Sequence, residues 1–246
     1  MLEKVDLTKV LFLDIETVPA FPSFEQLPEK LKQLWDKKST YFRADEETAE
    51  DVYQRAGIYA EFGKIVCISV GIAKVSDNSE VNGLRIKSFY DDDEKKLLVD
   101  FADMLNKFSG KKEVYLCAHN GKEFDFPYIA RRMLVNGIPL PNVLNVPGKK
   151  PWDVPFLDTM ELWKFGDYKH FTSLDLLTTI FDIPTPKEDI DGSMVGKVYW
   201  EDEDLNRIVK YCEKDVIALV QLFLRYRAQP LIDKNAVESV TVGLAF

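Results

Sequence analysis

A chain of 246 residues, 46% hydrophobic and 30% charged, has ordinary globular composition and length for one large domain or two small ones. Its formal charge of −9 excludes a protein that coats duplex nucleic acid through a broad basic face, but not an enzyme whose acids gather around divalent cations. No run approaches the roughly 20 apolar residues of a membrane helix, the N-terminus lacks an apolar signal stretch, and the scattered Cys67, Cys117 and Cys212 read as buried free thiols, so a cytoplasmic protein is expected.

The first element, VLFLDIET from Val10 to Thr17, reads as a buried strand carrying Asp14 and Glu16 near its end. Alternation along a strand puts both carboxylates on one face, where their repulsion calls for a divalent cation. The same spacing in Asp45 to Glu47 and Asp92 to Glu94 falls in acidic runs of the kind that begin solvated helices. Residues 19–61 form a polar, aromatic-studded insertion with two expected helices, FEQLPEKLKQLWDKK and DEETAEDVYQRAGIY. Strands are expected over 64–74 and 84–90, joined by the turn-rich VSDNSEVNG. DDDEKKLLVDFADMLNKF opens with acids and spaces Leu97, Leu98, Phe101, Met104, Leu105 and Phe108 as a helix. Next come a strand EVYLCAH, a turn at Asn120 and Gly121, and a helix over about 124–136 that stops near Gly137 and Pro139. The proline-rich IPLPNVLNVPGKKPWDVP is expected to lack regular structure, and a short strand over Phe156 to Asp158 follows. Last come a helix SLDLLTTIF capped by Ser173, a long helix over 201–227, and a tail, 228–246, whose end ESVTVGLAF is apolar enough to dock on this chain or a partner. Strands followed by alternating helix and strand imply one α/β domain over 1–246, a mixed sheet of five to six strands flanked by helices, with a helical insertion after the first strand.

Several residues carry two readings. Asp125, in a first helical turn between Phe124 and Phe126, is a helix-start acid or a ligand, and the two phenylalanines are core or nucleobase platforms. His119 is a satisfied structural histidine or a substrate contact. Tyr211 and Asp215, one turn apart, share a helix face beside the apolar stripe Ile208, Cys212, Val216 and Leu219, and form a local hydrogen bond or part of a site. Lys149, Lys150, Lys164 and Lys169 are solvated or meet a phosphate backbone.

Taken in order, FLDIET, NGKEFD and YCEKD resemble the DEDD superfamily of 3′–5′ exonucleases, tyrosine type, most of all the proofreading exonuclease domain of family B DNA polymerases, here expected as a stand-alone protein. The resemblance implies a ribonuclease H-like fold and catalytic Asp14, Glu16, Asp125, Tyr211 and Asp215, the four acids holding two divalent cations, and Thr17, His119, Asn120 and Phe124 as substrate contacts. All-carboxylate ligands suit Mg²⁺ or Mn²⁺. The implied reaction is release of nucleoside 5′-monophosphates from single-stranded or frayed DNA ends, with a separate polymerase or repair protein as a conceivable partner. A ribonuclease D-like exoribonuclease is the nearest alternative, and a catalytically silent binding module the alternative from another class. HFTSLD offers His170 and Asp175 at the spacing of the histidine type, but on a helix too early in the chain.

Overall fold

The computed structural model describes residues 2–76, 80–110, 112–150, 152–167, 171–184 and 190–243. The buried run at the start becomes β1 (Val10–Pro19), whose two faces are both covered. Leu11, Leu13 and Ile15 enter one apolar cluster, whereas Val10 and Phe12 enter another. β2 (Gly63–Val75) pairs antiparallel with β1, and β3 (Val81–Tyr90) pairs antiparallel with β2 as the expected hairpin. β4 (Tyr115–Ala118) and β5 (Phe156–Asp158) extend the other edge in parallel. A sixth strand, β6 (Val237–Ser239), comes from the tail and lies parallel to β3, giving the order β5-β4-β1-β2-β3-β6. The tail therefore docks on this chain.

Helices cover both faces. On one lie α2 (Glu94–Ser109) and α3 (Asp125–Val135), which bury Leu97, Leu98, Phe101, Leu105, Ile129 and Met133 against the odd-numbered side chains of β1. Asp93 caps α2 by accepting from the backbone N–H groups of Lys95 and Lys96. Across the sheet, the long α7 (Leu205–Tyr226) packs Val216, Leu219, Val220 and Phe223 on Val10, Phe12, Leu84 and Ile86. Each such side chain contributes roughly 1.5–3 kcal/mol of burial. Gly71 permits the close approach, since a Cβ there would stand 2.8 Å from Val216 Cγ1.

Two buried acids pin these layers. Glu94 accepts from Arg132 Nε (2.9 Å) and Nη2 (2.6 Å), Asn136 Nδ2 (2.9 Å) and the Ile65 N–H (2.8 Å), tying α2, α3 and β2 together. Glu213 of α7 accepts from the hydroxyls of Ser88 (2.9 Å), Ser239 (3.0 Å) and Thr241, fastening the helix to β3 and the tail.

Some sequence expectations are corrected. In the insertion only the first helix forms, as α1 (Glu29–Ser39). DEETAEDVYQRAGIY makes turns and one 3-10 segment, Tyr53–Ile58, because its polar side chains bond nearby backbone: Glu47 takes the Ala44 N–H (2.7 Å) and Asp51 takes the Thr48 N–H (2.8 Å). The aromatic residues build a small core of their own around Trp35, whose indole donates to Ala49 O (2.8 Å). The long last helix begins at Leu205, with Asp204 accepting from Arg207 N, and a separate α6 (Val195–Trp200) precedes it. A short α4 (Thr159–Lys164) also went unforeseen, whereas α5 (Leu174–Ile180) forms with Ser173 as its cap. Among the described residues, no helix is long and apolar enough to cross a membrane.

Candidate metal centre

The parity of β1 decides where its acids point. Even-numbered side chains face α7, so Asp14 and Glu16 follow Val10 and Phe12 onto that side, beyond the point where β4 ceases to pair. Asp14 stands opposite Ser69 and Glu16 opposite Cys67, and the register shifts at Glu16/Thr17. One carboxylate oxygen from each of Asp14 and Glu16 and the Sγ of Cys212 lie within 4.8 Å of one another. Cys212 comes from α7, the same helix that carries Tyr211 and Asp215.

Asp125 arrives from the other side of β1. The chain leaves β4, turns at His119 to Lys122 and starts α3 at Asp125, which is 3% exposed and has the Ile15 backbone near its carboxyl. The turn has strict local demands. Asn120 adopts φ +61°, which asparagine tolerates, and a Cβ on Gly121 would stand 2.4 Å from Ala118 Cβ. It is held by Asp158, at the end of β5, whose carboxylate accepts from Asn120 N (3.0 Å), Lys122 N (3.0 Å) and Met160 N (2.9 Å). The sequence reading passed over Asp158; Asp158 followed three residues later by Glu161 has capping-box spacing and was the available signal.

The gathered acids are electrostatically uneasy. Burial, then the charges of Asp215 and Asp125, push the Asp14 carboxyl well above its ordinary range. Burial and Asp14 do the same to Glu16. Asp125 is pushed up to about 7, mainly by burial, with Asp158 and Asp215 adding and backbone N–H groups opposing. Among the described residues, no lysine or arginine pairs with Asp14, Glu16 or Asp125. Four mutually repelling carboxylates with hard oxygen donors fit a divalent cation such as Mg²⁺ or Mn²⁺.

The remaining predicted residues divide. Tyr211 is half-buried, and its hydroxyl lies 3.9 Å from where Gly192 would carry a Cβ. Asn120 keeps a buried side-chain oxygen without a hydrogen-bond partner. The residues expected as substrate contacts, Thr17, His119 and Phe124, also have neighbours inside the protein. Thr17 lies near the Tyr128 phenol, whose hydroxyl donates to Gly57 O (2.8 Å). His119 engages Thr159 Oγ1 and Thr172 O, both at 2.9 Å, leaving neither ring nitrogen for a ligand. Phe124 packs on Tyr128 with ring centroids 5.4 Å apart. Of the histidine-type pair, Asp175 is exposed on the first turn of α5, and His170 lies outside the described residues, as does Lys169.

A family model described as a predicted 3′–5′ exonuclease related to the exonuclease domain of PolB matches residues 58–239, most of the chain. The chain belongs to this family. The matched span of this PolB-exonuclease relative includes Asn120, Asp125, Tyr211 and Asp215 and begins after Asp14 and Glu16. Its fold is similar to that of the family B DNA polymerase from the hyperthermophilic archaeon Pyrobaculum calidifontis, with a TM-score of 0.51 at 16% identity over 89% of this chain and 24% of the polymerase. The chain thus spans about a quarter of that polymerase. The mixed six-stranded sheet with helices on both faces is the ribonuclease H-like fold of such exonuclease domains.

Proposed function

We propose that this PolB-exonuclease relative is a tyrosine-type, metal-dependent 3′–5′ exonuclease acting on single-stranded or frayed DNA ends. The observation that carries the reading is the convergence of Asp14, Glu16, Asp125 and Asp215, drawn from β1, α3 and α7, close enough that each charge bears on the others. These four carboxylates would hold two divalent cations, which when bound supply an activated water and charge stabilisation at the leaving 3′ oxygen.

The chain's own residues shape the rest. Asp14 and Glu16 present oxygens from a rigid central strand, which limits their freedom before any ligand arrives. A free phenol is a poor base at neutral pH, so Tyr211 is assigned the role of orienting the attacking water and a phosphate oxygen through its hydroxyl. Exposed aromatic residues paired with lysines, Lys150 over Trp152 (5.3 Å) and Lys164 over Phe171 (5.1 Å), suit a single strand, which is bound by stacking and backbone charge.

The test is degradation of matched DNA and RNA oligonucleotides, labelled at either end, with Mg²⁺, Mn²⁺ or chelator. Metal-dependent loss from the 3′ end of DNA is expected, Asp14→Ala abolishing it and Tyr211→Phe lowering kcat with metal affinity nearly unchanged. Hydrolysis that persists in Asp14→Ala overturns the ligand set, and preference for RNA moves the substrate class to the exoribonuclease alternative.

A further inference from the structure

Between Tyr211 and Asp215 lies Cys212, to which the reading above gives no part. Its side chain is fully buried among Val18, Cys67, Val195, Ile208 and Val209. Its Sγ stands 3.4 Å from Asp14 Oδ2 and 3.5 Å from the Asp14 backbone oxygen. The backbone oxygen has no proton to give, and neither has Oδ2 once Asp14 is ionised as a metal ligand, so in that state the thiol is the donor and shares one hydrogen between them. A thiol is a weak donor in water, but here no water competes.

The position of Cys212 is itself fixed. Cys67, opposite Glu16 in the sheet, lies against it. From Cys67 a polar chain runs through the apolar interior: Sγ to Ser69 Oγ (3.6 Å), Ser69 Oγ to Ser88 Oγ (2.7 Å), and Ser88 Oγ to Glu213 Oε1 (2.9 Å). Glu213 follows Cys212 on α7, so the chain returns to the helix where it began. Two consecutive residues of α7 thus grip the sheet, one at Asp14 and one at β3. A helix held this way cannot rotate or slide without breaking a buried contact.

We propose that Cys212 is a positioning residue of the metal centre, its thiol fixing the rotation of the Asp14 carboxylate. This rests on the reading of Asp14, Glu16, Asp125 and Asp215 as metal ligands. Cys212 is not itself a ligand: hard cations favour the oxygens beside it over sulfur.

The test is Mn²⁺ binding by calorimetry without nucleic acid, on wild type, Cys212→Val and Cys212→Ser. Valine keeps the apolar volume and removes the donor; serine keeps a donor. Removing a hydrogen bond to a ligand typically weakens metal binding 10–100-fold, and a thiol bond belongs at the low end, so Cys212→Val is expected to bind about tenfold more weakly and Cys212→Ser within about threefold of wild type. Equal affinity in Cys212→Val and wild type overturns the role. Should Cys212→Val not fold, Cys212→Ala carries the same expectation. A Cd²⁺ titration reads the bond to sulfur directly: an ultraviolet thiolate–metal band in wild type that vanishes in Cys212→Ser makes Cys212 a ligand and overturns the positioning role, and absence of the band supports it. Wild type that binds no Mn²⁺ overturns the metal centre itself.

Discussion

Removing the charge of Asp125 is expected to stabilise the metal-free protein at neutral pH. The Asp125 carboxyl moves from an ordinary 3.8 to about 7 in the folded chain. Between those values the native state keeps a proton that the unfolded chain has released, so stability falls as pH rises through that window and the loss from this group is complete above it. At about 1.4 kcal/mol per unit over about three units, the group costs on the order of 4 kcal/mol by pH 7.5, or about 10 °C in Tm for a chain this size. Asparagine keeps the shape and a polar oxygen and never ionises. The assay is thermal melting of wild type and Asp125→Asn in chelator from pH 4.5 to 7.5, reading the difference at each pH. His119, held neutral by burial, loses stability as pH falls through its ordinary range near 6.5, and cancels in that difference. The gap should open steadily with pH and close when saturating Mn²⁺ is added to wild type. Parallel curves, or a gap that widens toward acid, refute the reasoning.

Further expectations follow from single buried contacts. Asp158→Ala deprives Asn120 and Lys122 of the acceptor of their backbone N–H groups and uncaps α4, which is expected to cost about 3–5 kcal/mol in urea unfolding and to weaken Mn²⁺ binding about tenfold. Arg132→Met leaves Glu94 charged and buried, at a cost of about 3–5 kcal/mol, most of which Glu94→Leu in the same chain should restore in a double-mutant cycle. Thr241→Val removes one hydroxyl from Glu213 and should cost about 1–3 kcal/mol, with faster amide exchange in β6 as its signature.

The internal partners of His119 show where local sequence stops informing. Asp14 and Glu16 were legible because the apolar VLFL before them marks a core strand, and strand parity needs no knowledge of what lies opposite. Tyr211 and Asp215 were legible as a pair for the same reason, one helical turn being a local length. The partners of His119 were not: Thr159 and Thr172 lie 40 and 53 residues away, and nothing in its neighbourhood announces them. The second insertion helix failed for a related reason. Its acids and threonine bond nearby backbone, and its aromatic residues are drawn to Trp35, contacts that a periodic pattern does not encode.

The sequence by itself determined the strand that bears Asp14 and Glu16, the helix that bears Tyr211 and Asp215, and the burial of three thiols. Each follows from hydrophobic period or composition, which act over a few residues. Only the tertiary structure decided that Cys212 touches Asp14 across 198 positions of chain, that Asp158 fastens the turn before Asp125, and that the tail becomes a strand held by Glu213. Those contacts depend on which surfaces meet when sheet and helices pack, a question of shape and partner that no local run of residues contains.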